Sequence, residues 1–134
     1  MSPTRTFTTP EQLARALEAA AARVGPATGA AVRHEATALH ALIQAAASGR
    51  PGPNRITGRY LASWRQQIQP RAHGASATVG TFAAQARRLE LGFYGTDALG
   101  RDYAQRPFPH VAPALAALQH GLAERIAAAA KDAL

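Results

Sequence analysis

Histidines are the residues of this chain most able to hold a metal ion, and their spacing decides whether they can. The five are His34, His40, His73, His110 and His120. Zinc ligands on a helix recur three or four residues apart on one face. His34 and His40 are six residues apart, which places them on different sides of a helix. We therefore expect no metal site, and the sequence carries no motif that calls for a cofactor.

Carboxylates and serines are the other groups that could act chemically. Glu90 is the only acidic residue in a long stretch, and the next ones are Asp97 and Asp102. Acid/base catalysis needs a positioned partner of complementary pKa, and both aspartates fall in a predicted loop. The serines lack a GxSxG setting. The sequence predicts a protein that is not an enzyme, with Glu90 bonded to a loop backbone or to Arg59, Arg87 or Arg106.

Positive charge is concentrated in one segment of the chain. The formal net charge is +7, and residues 36–89 contain no Asp or Glu. The arginines of that segment are Arg50, Arg55, Arg59, Arg65, Arg71, Arg87 and Arg88. A segment of one sign favours an acidic surface or nucleic acid. A coding bias towards Ala, Arg, Gly and Pro would produce the same composition, so both explanations stay open.

Length and composition limit the class of protein. A chain of 134 residues is expected to form a single domain, residues 1–134, with a flexible start at residues 1–9. Cysteine is absent, so packing or partners must supply the stability. No apolar run reaches the roughly 18 residues needed to span a bilayer, and we expect no membrane contact.

The N-terminal region, residues 10–47, is predicted to be a helical pair. Thr9 can cap the first helix, which should end near Val24 because Gly25-Pro26 follows. The second helix begins near Thr28, with apolar residues at spacings of three and four. The two helices should pack as an antiparallel or sharply kinked pair.

The remaining patterns predict an α+β fold, in which a small antiparallel sheet joins the helices. Alternation and turn residues predict a β-hairpin, and helical spacing returns later in the chain. The expected elements are a strand at 60–68, a strand at 75–80, a short helix at 82–91, a long loop at 93–106, and one C-terminal helix from His110 or Ala112.

Three short motifs follow one another in the second half of the chain. They are Thr57-Gly58-Arg59, then Leu89-Glu90-Leu91-Gly92, then Pro107-Phe108-Pro109 with Pro113-Ala114-Leu115. In this order they resemble the HK97 gp10-like family of tailed-bacteriophage proteins, whose members are tail-completion or head-tail joining components. That family carries "TGxLxxS" at the start of a strand, a short helix ending in "LEFGT", and "PFxxPAL" opening the last helix. The resemblance covers residues 50–126.

The resemblance implies structural roles for the motif residues. Thr57 and Gly58 would open the first strand, and Glu90 and Gly92 would close the short helix. Pro107, Phe108 and Pro113 would fasten the long loop to the last helix.

The resemblance also implies a function without catalysis. The chain would be a structural virion protein, a subunit of a ring at the head-to-tail junction, and a hexamer is the expected form of that ring. Its partners would be copies of itself and the adjacent neck, tail-terminator or tail-tube proteins, with passive contact to DNA in the channel. A tail terminator or a head-tail connector is an alternative within this class. A basic nucleic-acid-binding protein is the alternative from another class.

Two sets of residues are expected to form the contacts of such a subunit. The first set consists of arginines that we expect to contact a neighbouring subunit in preference to DNA: Arg59, Arg65, Arg87 and Arg88. The second set lies in the long loop, which would become ordered on an adjoining protein: Phe93, Tyr94, Asp97, Arg101, Asp102 and Tyr103.

Overall fold

One long helix organises the computed structural model, which describes residues 4–134. This helix, α1, runs from Pro10 to Ala46. The other elements are α2 (Arg59–Ala62), β1 (Arg65–Arg71), β2 (Gly74–Gly80), α3 (Ala86–Leu91), β3 (Phe93–Thr96), β4 (Asp102–Gln105), α4 (Val111–Gln119) and α5 (Leu122–Asp132). The fold thus combines helices with two antiparallel sheets of two strands each. Of the segment expected to be flexible, residues 1–3 lie outside the described residues.

The predicted helical pair is wrong, because α1 continues through Gly25-Pro26 without a break. A proline inside a helix loses one backbone hydrogen bond and crowds the preceding turn, at a cost of about 3 kcal/mol. Gly25 has no Cβ to clash with the proline ring, and elements packed on α1 at this level hold it in place. The predicted start is confirmed: the Thr9 hydroxyl accepts the Gln12 N–H at 3.2 Å.

The first hairpin confirms the predicted strand pair and lies along α1. β1 and β2 are antiparallel, with Ile68 opposite Ala77. The turn between them approaches α1 where that helix has glycines: a Cβ on Gly25 would lie 3.6 Å from His73, and one on Gly29 would lie 3.4 Å from the Gly74 carbonyl oxygen. The small residues of α1 therefore allow the hairpin turn to rest on the helix backbone.

The segment before this hairpin is helical, which corrects the expected strand start at Tyr60. Gly58 adopts a left-handed φ of 80° at the N-cap of α2, a conformation that favours glycine. The Thr57 hydroxyl accepts the Arg59 N–H at 3.2 Å. The Thr57-Gly58-Arg59 motif therefore starts a helical turn instead of a strand.

The expected long loop at 93–106 is also corrected, since it contains the second hairpin. β3 pairs with β4, and Phe93 lies opposite Gln105. The helix before it is shorter than predicted: α3 begins at Ala86, and Phe82 is fully exposed. Gly92 ends α3 at a φ of 79°, and a Cβ there would lie 2.8 Å from the Gln105 carbonyl oxygen.

The single C-terminal helix of the prediction is two helices. The break falls at His120 and Gly121, where Gly121 has a φ of 74°. Both helices pack against α1, which one straight helix leaving α4 could not do along its whole length. The core forms where α1, the first hairpin and α4 meet, around Ile43, Trp64 and Ala114.

Candidate interaction surfaces

A cleft lined by arginines lies at the C-terminal end of α1. Its volume is about 500 Å³, and Arg50, Arg55 and Arg59 line it. Its apolar lining includes Leu61 and Leu89, and no acidic residue lines it. We call this feature the arginine cleft. Three guanidinium groups beside apolar surface suit a ligand that carries both carboxylate or phosphate groups and apolar groups.

Phe108 lines the same cleft and is already in contact with two arginines. The guanidinium carbon of Arg50 lies 4.1 Å from the ring centroid, and that of Arg106 lies 5.3 Å from it. These are cation–π distances. The Phe108 ring, expected to fasten the long loop to the last helix, is half-buried. Its backbone nonetheless joins loop to core, because the Phe108 N–H donates to the Leu89 carbonyl oxygen at 2.6 Å.

The four arginines predicted as interface residues do not form one surface. Arg59 lines the arginine cleft. Arg65 turns back onto the carbonyl oxygens at the end of α2, and Arg88 lies 4.0 Å from the Phe93 ring centroid. Arg87 borders a separate open groove beside α3. Sequence reasoning missed Arg50 and Arg55 as neighbours of Arg59, because the loop between α1 and α2 carries no periodic pattern that predicts its shape. It missed Arg106 because that residue and Phe108, whose ring it contacts, lie in a segment distant in sequence from Arg59.

The residues at 93–106 were predicted to become ordered on an adjoining protein. In the structure they largely form hydrogen bonds with one another. Asp97 accepts the backbone N–H groups of Leu99 and Arg101, both at 2.9 Å, the Arg101 Nε at 2.6 Å and the Tyr103 hydroxyl at 3.1 Å. The hydrogen bond from the Arg101 backbone N–H contributes most to lowering the pKa of Asp97. Asp102 accepts the Thr96 hydroxyl at 2.7 Å. Among the residues predicted there, Tyr94 remains 72% exposed, and Phe93 is half-buried.

Glu90 closes the N-terminus of α4. Its carboxylate accepts the backbone N–H groups of His110 at 2.8 Å, Val111 at 3.0 Å and Ala112 at 2.9 Å. The next residue, Pro113, has no N–H to satisfy. Every free amide of the first turn is therefore accounted for. Glu90 thus bonds to a loop backbone as predicted, with these amides in place of the arginines expected.

His110 joins this carboxylate to Tyr60 inside the core. Its Nδ1 faces the Phe108 carbonyl oxygen at 2.9 Å and the Glu90 carboxylate at 3.0 Å, so the hydrogen bonds assign the proton to Nδ1. Nε2 then accepts the Tyr60 hydroxyl at 2.6 Å. The His110 side chain is 0% exposed. A Tyr-His-Glu arrangement could move protons, but here no substrate can reach the imidazole.

The pKa values of this cluster follow from its surroundings. Burial raises the pKa of Tyr60 to about 12, and the negative charge of Glu90 acts in the same direction. Burial also acts to raise the pKa of Glu90. The backbone hydrogen bonds from Val111, His110 and Ala112 outweigh it, so the pKa of Glu90 falls below its ordinary value. The cluster is most stable with Glu90 charged and Tyr60 neutral.

A second carboxylate ties the C-terminal helices to α1. Glu35 is buried on α1 and binds Arg125 of α5 through two bonds, at 2.7 Å from Nε and 3.0 Å from Nη2. The same guanidinium donates at 2.8 Å to the carbonyl oxygens of Leu118 and His120, at the end of α4. Hydrogen bonding from Arg125 lowers the pKa of Glu35. Sequence reasoning missed this pair, although Glu35 lies at helical spacing from the apolar Val32 and Leu39.

The first half of α1 extends beyond everything packed on the helix. α5 runs back along α1 and ends beside it, where the Arg23 Nε donates to the Ala133 carbonyl oxygen at 2.9 Å. The hairpin turn ends at Gly25. Residues 10–22 lie before these contacts and span about 20 Å of helix. We call them the arm. Two leucines of the arm are exposed to solvent, Leu13 at 42% and Leu17 at 62% of their surface.

Comparison with protein-family models, with curated proteins and with solved structures found no match. Within residues 4–134, no group of three His, Cys, Asp or Glu side chains could hold a metal ion. Nor is any helix of that part long and apolar enough to cross a membrane.

Proposed function

We propose that this protein is a structural subunit of a larger assembly, a ring at the head-to-tail junction of a tailed bacteriophage. The observation that carries the proposal is the large solvent-accessible surface area of the single chain. A compact monomer of 14.0 kDa exposes about 6,700 Å², whereas this chain exposes 9688 Å². The excess is about 3,000 Å² on that scaling. A subunit that neighbours complete would leave such an excess when it stands alone.

The exposed residues support an assembly subunit more than an isolated binding protein. Large apolar side chains are exposed at places far apart in the sequence. They include Leu17, Ile56, Phe82, Tyr94 and Leu99. Monomeric soluble proteins expose single apolar residues as a matter of course, but exposure on the arm, beside the cleft and on the second hairpin leaves several faces for contacts. A ring subunit needs at least two such faces.

The motif residues behind the resemblance to HK97 gp10-like proteins have structural roles here, and that agrees with a structural function. Glu90 caps α4, Gly92 allows the close approach of Gln105, and Phe108 bonds to the end of α3. None of these contacts offers a reacting group to solvent. We propose that the protein acts by shape and contact within the virion, with neck, terminator or tube proteins as further neighbours.

The second candidate function, nucleic-acid binding, rests on the arginine cleft. Arg50, Arg55, Arg59 and Arg106 lie around one region, and residues 36–89 hold no acid. Proteins that bind single strands stack bases on aromatic rings. The aromatic rings at the cleft are already engaged and so are not free to stack on a base. Phe108 is in contact with the guanidinium groups of Arg50 and Arg106, and the Tyr60 hydroxyl is bonded to His110. Phosphate contact by the arginines would be the remaining mode.

One measurement separates the two functions. The mass of the purified protein is determined by light scattering after size exclusion, at several concentrations, with and without a short DNA duplex. Concentration-dependent rings or oligomers that ignore DNA support the assembly subunit, and electron microscopy of the same fractions would image them. A monomer that binds duplex with a steep salt dependence supports nucleic-acid binding. A monomer indifferent to DNA contradicts the self-assembling ring.

A further inference from the structure

We propose that the arm of one copy docks in the arginine cleft of the next copy, so that the subunits join head to tail. This inference rests on the proposed function in one respect: copies of the chain must assemble. To the proposed function it adds that the two surfaces in contact are the arm and the arginine cleft. Both surfaces are left open by the fold, and neither has a partner among the described residues.

The positions of the two surfaces fit a head-to-tail contact. The cleft is lined by Ala47, just past the last residue of α1, while the arm begins at the first residue, Pro10. A 37-residue helix separates them by about 55 Å. The two cannot meet within one copy, because α1 is continuous. Two different faces at opposite ends of a subunit generate a ring or a filament.

The shape of the arm suits insertion into a cleft. Leu13 and Leu17 lie one helical turn apart on the same side. Alanine is the commonest residue of the arm, so the helix is slender around the two leucines. The cleft offers apolar surface from Leu61, Leu89 and Ile56, and Ile56 is 92% exposed at present. Docking would remove from water the apolar groups that both surfaces now expose.

The two surfaces carry opposite net charges. Glu11 and Glu18 are seven residues apart and lie on one side of the arm, with Arg15 between them. Neither glutamate forms an ion pair within residues 4–134. The cleft holds three arginines and no acid. The glutamates lie about 100° or more around the helix from the two leucines. With the leucines in the cleft, the carboxylates would face its rim, where ion pairs would orient the arm while the leucines supply most of the affinity.

The surface area is sufficient for two contacts per subunit. A standard interface buries about 800 Å² on each partner, so the arm and the cleft together need about 1,600 Å². The excess of about 3,000 Å² over a compact monomer accommodates both. A partner protein of other sequence or a nucleic acid could compete for the cleft, and a mixing experiment separates these occupants.

The test mixes two variants, each with one damaged surface. The first carries Leu13→Asp with Leu17→Asp and keeps an intact cleft. The second carries Arg55→Glu with Arg59→Glu and keeps an intact arm. Neither can join to its own kind, but one intact arm and one intact cleft remain in the mixture. We expect the unmodified protein to associate, each variant alone to be a monomer, and the mixture to form a 1:1 dimer in sedimentation experiments.

Controls distinguish this contact from general charge or apolar effects. Arg71→Glu changes one exposed arginine away from the cleft, and Leu91→Asp changes one exposed leucine away from the arm. Both should associate as the unmodified protein does. The milder Leu17→Ala should weaken association about tenfold, the amount expected for losing part of a buried leucine. Circular dichroism of each variant checks that it is folded.

Three outcomes would overturn the inference. One is an unmodified protein that stays monomeric up to about 1 mM, a concentration at which even a weak specific contact is populated. Another is damaged variants that still associate alone. The third is a mixture that forms no dimer.

If the unmodified protein forms rings while the variants behave like it, the proposed function stands and this docking is wrong. If duplex DNA binds and Arg55→Glu with Arg59→Glu abolishes binding, the cleft belongs to nucleic acid.

Discussion

The two halves of α1 have similar sequences and opposite surroundings. Both halves carry apolar residues at helical spacing and are rich in alanine. Residues 23–46 contact the turn of the first hairpin at Gly25 and Gly29 and the end of α5 at Arg23, whereas both leucines of residues 10–22 are exposed. In the covered half Ile43 is 1% exposed, and in the arm Leu17 is 62% exposed. The comparison teaches that an apolar stripe establishes a helix but does not establish what covers it.

The largest expected difference between the halves comes from shortening one apolar side chain in each. Ile43→Ala removes a side chain from the core and should lower the free energy of unfolding by about 2–5 kcal/mol. Leu17→Ala changes an exposed position and should alter it by no more than about 0.5 kcal/mol. Urea unfolding of dilute protein measures both. Equal losses would mean that the arm packs on its own subunit.

The junction of the halves should respond to removal of its proline. Pro26→Ala restores a backbone N–H and relieves the crowding of the preceding turn, so we expect the free energy of unfolding to rise by up to about 3 kcal/mol. Gly25→Ala is the matched comparison, and its added methyl group would sit at ordinary contact distance from His73. A loss of stability in Pro26→Ala would show that the proline shapes α1 for its neighbours.

Acid should weaken two contacts of the folded chain, those of Glu35 on the covered part of α1 and those of Glu90 at the start of α4. In the folded chain the pKa of each lies below its ordinary value of 4.5. Their contribution is therefore present above the unfolded pKa and is lost as pH falls through the folded pKa. The melting temperature should drop below about pH 4.5, and Glu90→Gln should flatten that drop. A melting temperature that stays constant down to about pH 3 would contradict these charge contacts.

The smallest effect is expected at the free end of the arm. Thr9→Ala removes the hydroxyl that accepts the Gln12 N–H, at a local cost of about 1 kcal/mol. Because the arm is not covered, global unfolding should hardly change. Hydrogen exchange of the first-turn amides should quicken, while the amides around Ile43 keep their protection. Faster exchange at Ile43 would mean that the two halves open as one unit.

The sequence predicted those features that local patterns determine. The cap at Thr9 and the first hairpin depend on neighbouring residues, and the structure confirms them. Gly25-Pro26 and the residues of the second hairpin were misread for different reasons. At Gly25-Pro26 a tertiary contact, the hairpin turn resting on α1, outweighs the local preference. In the second hairpin the bonds are local, since Asp97 closes the turn onto Arg101, and the sequence pattern did not distinguish that closed turn from a loop.

The candidate surfaces were harder to predict, because they depend on contacts across long stretches of sequence. Arg59 was expected at an interface, but Arg50 and Arg55 join it in the cleft through the shape of one loop that carries no periodic pattern. Arg106, which contacts the Phe108 ring at this cleft, comes from a segment distant in sequence. One signal was available for Glu90. His110 is a poor helix cap, so the start of α4 needed an acceptor from elsewhere. Sequence alone offered no rule to choose between Glu90 and other acids.

The bonds at the two ends of the second hairpin have a practical consequence for protein engineering. Glu90 holds the start of α4, and Leu89 holds Phe108, so the chain between them leaves and re-enters the body at one place. Lengthening such a closed segment costs about 0.6 kcal/mol for each doubling. The tip of the hairpin, near Leu99 and Gly100, is thus a natural site for inserting an epitope or a fluorescent label without loss of the fold.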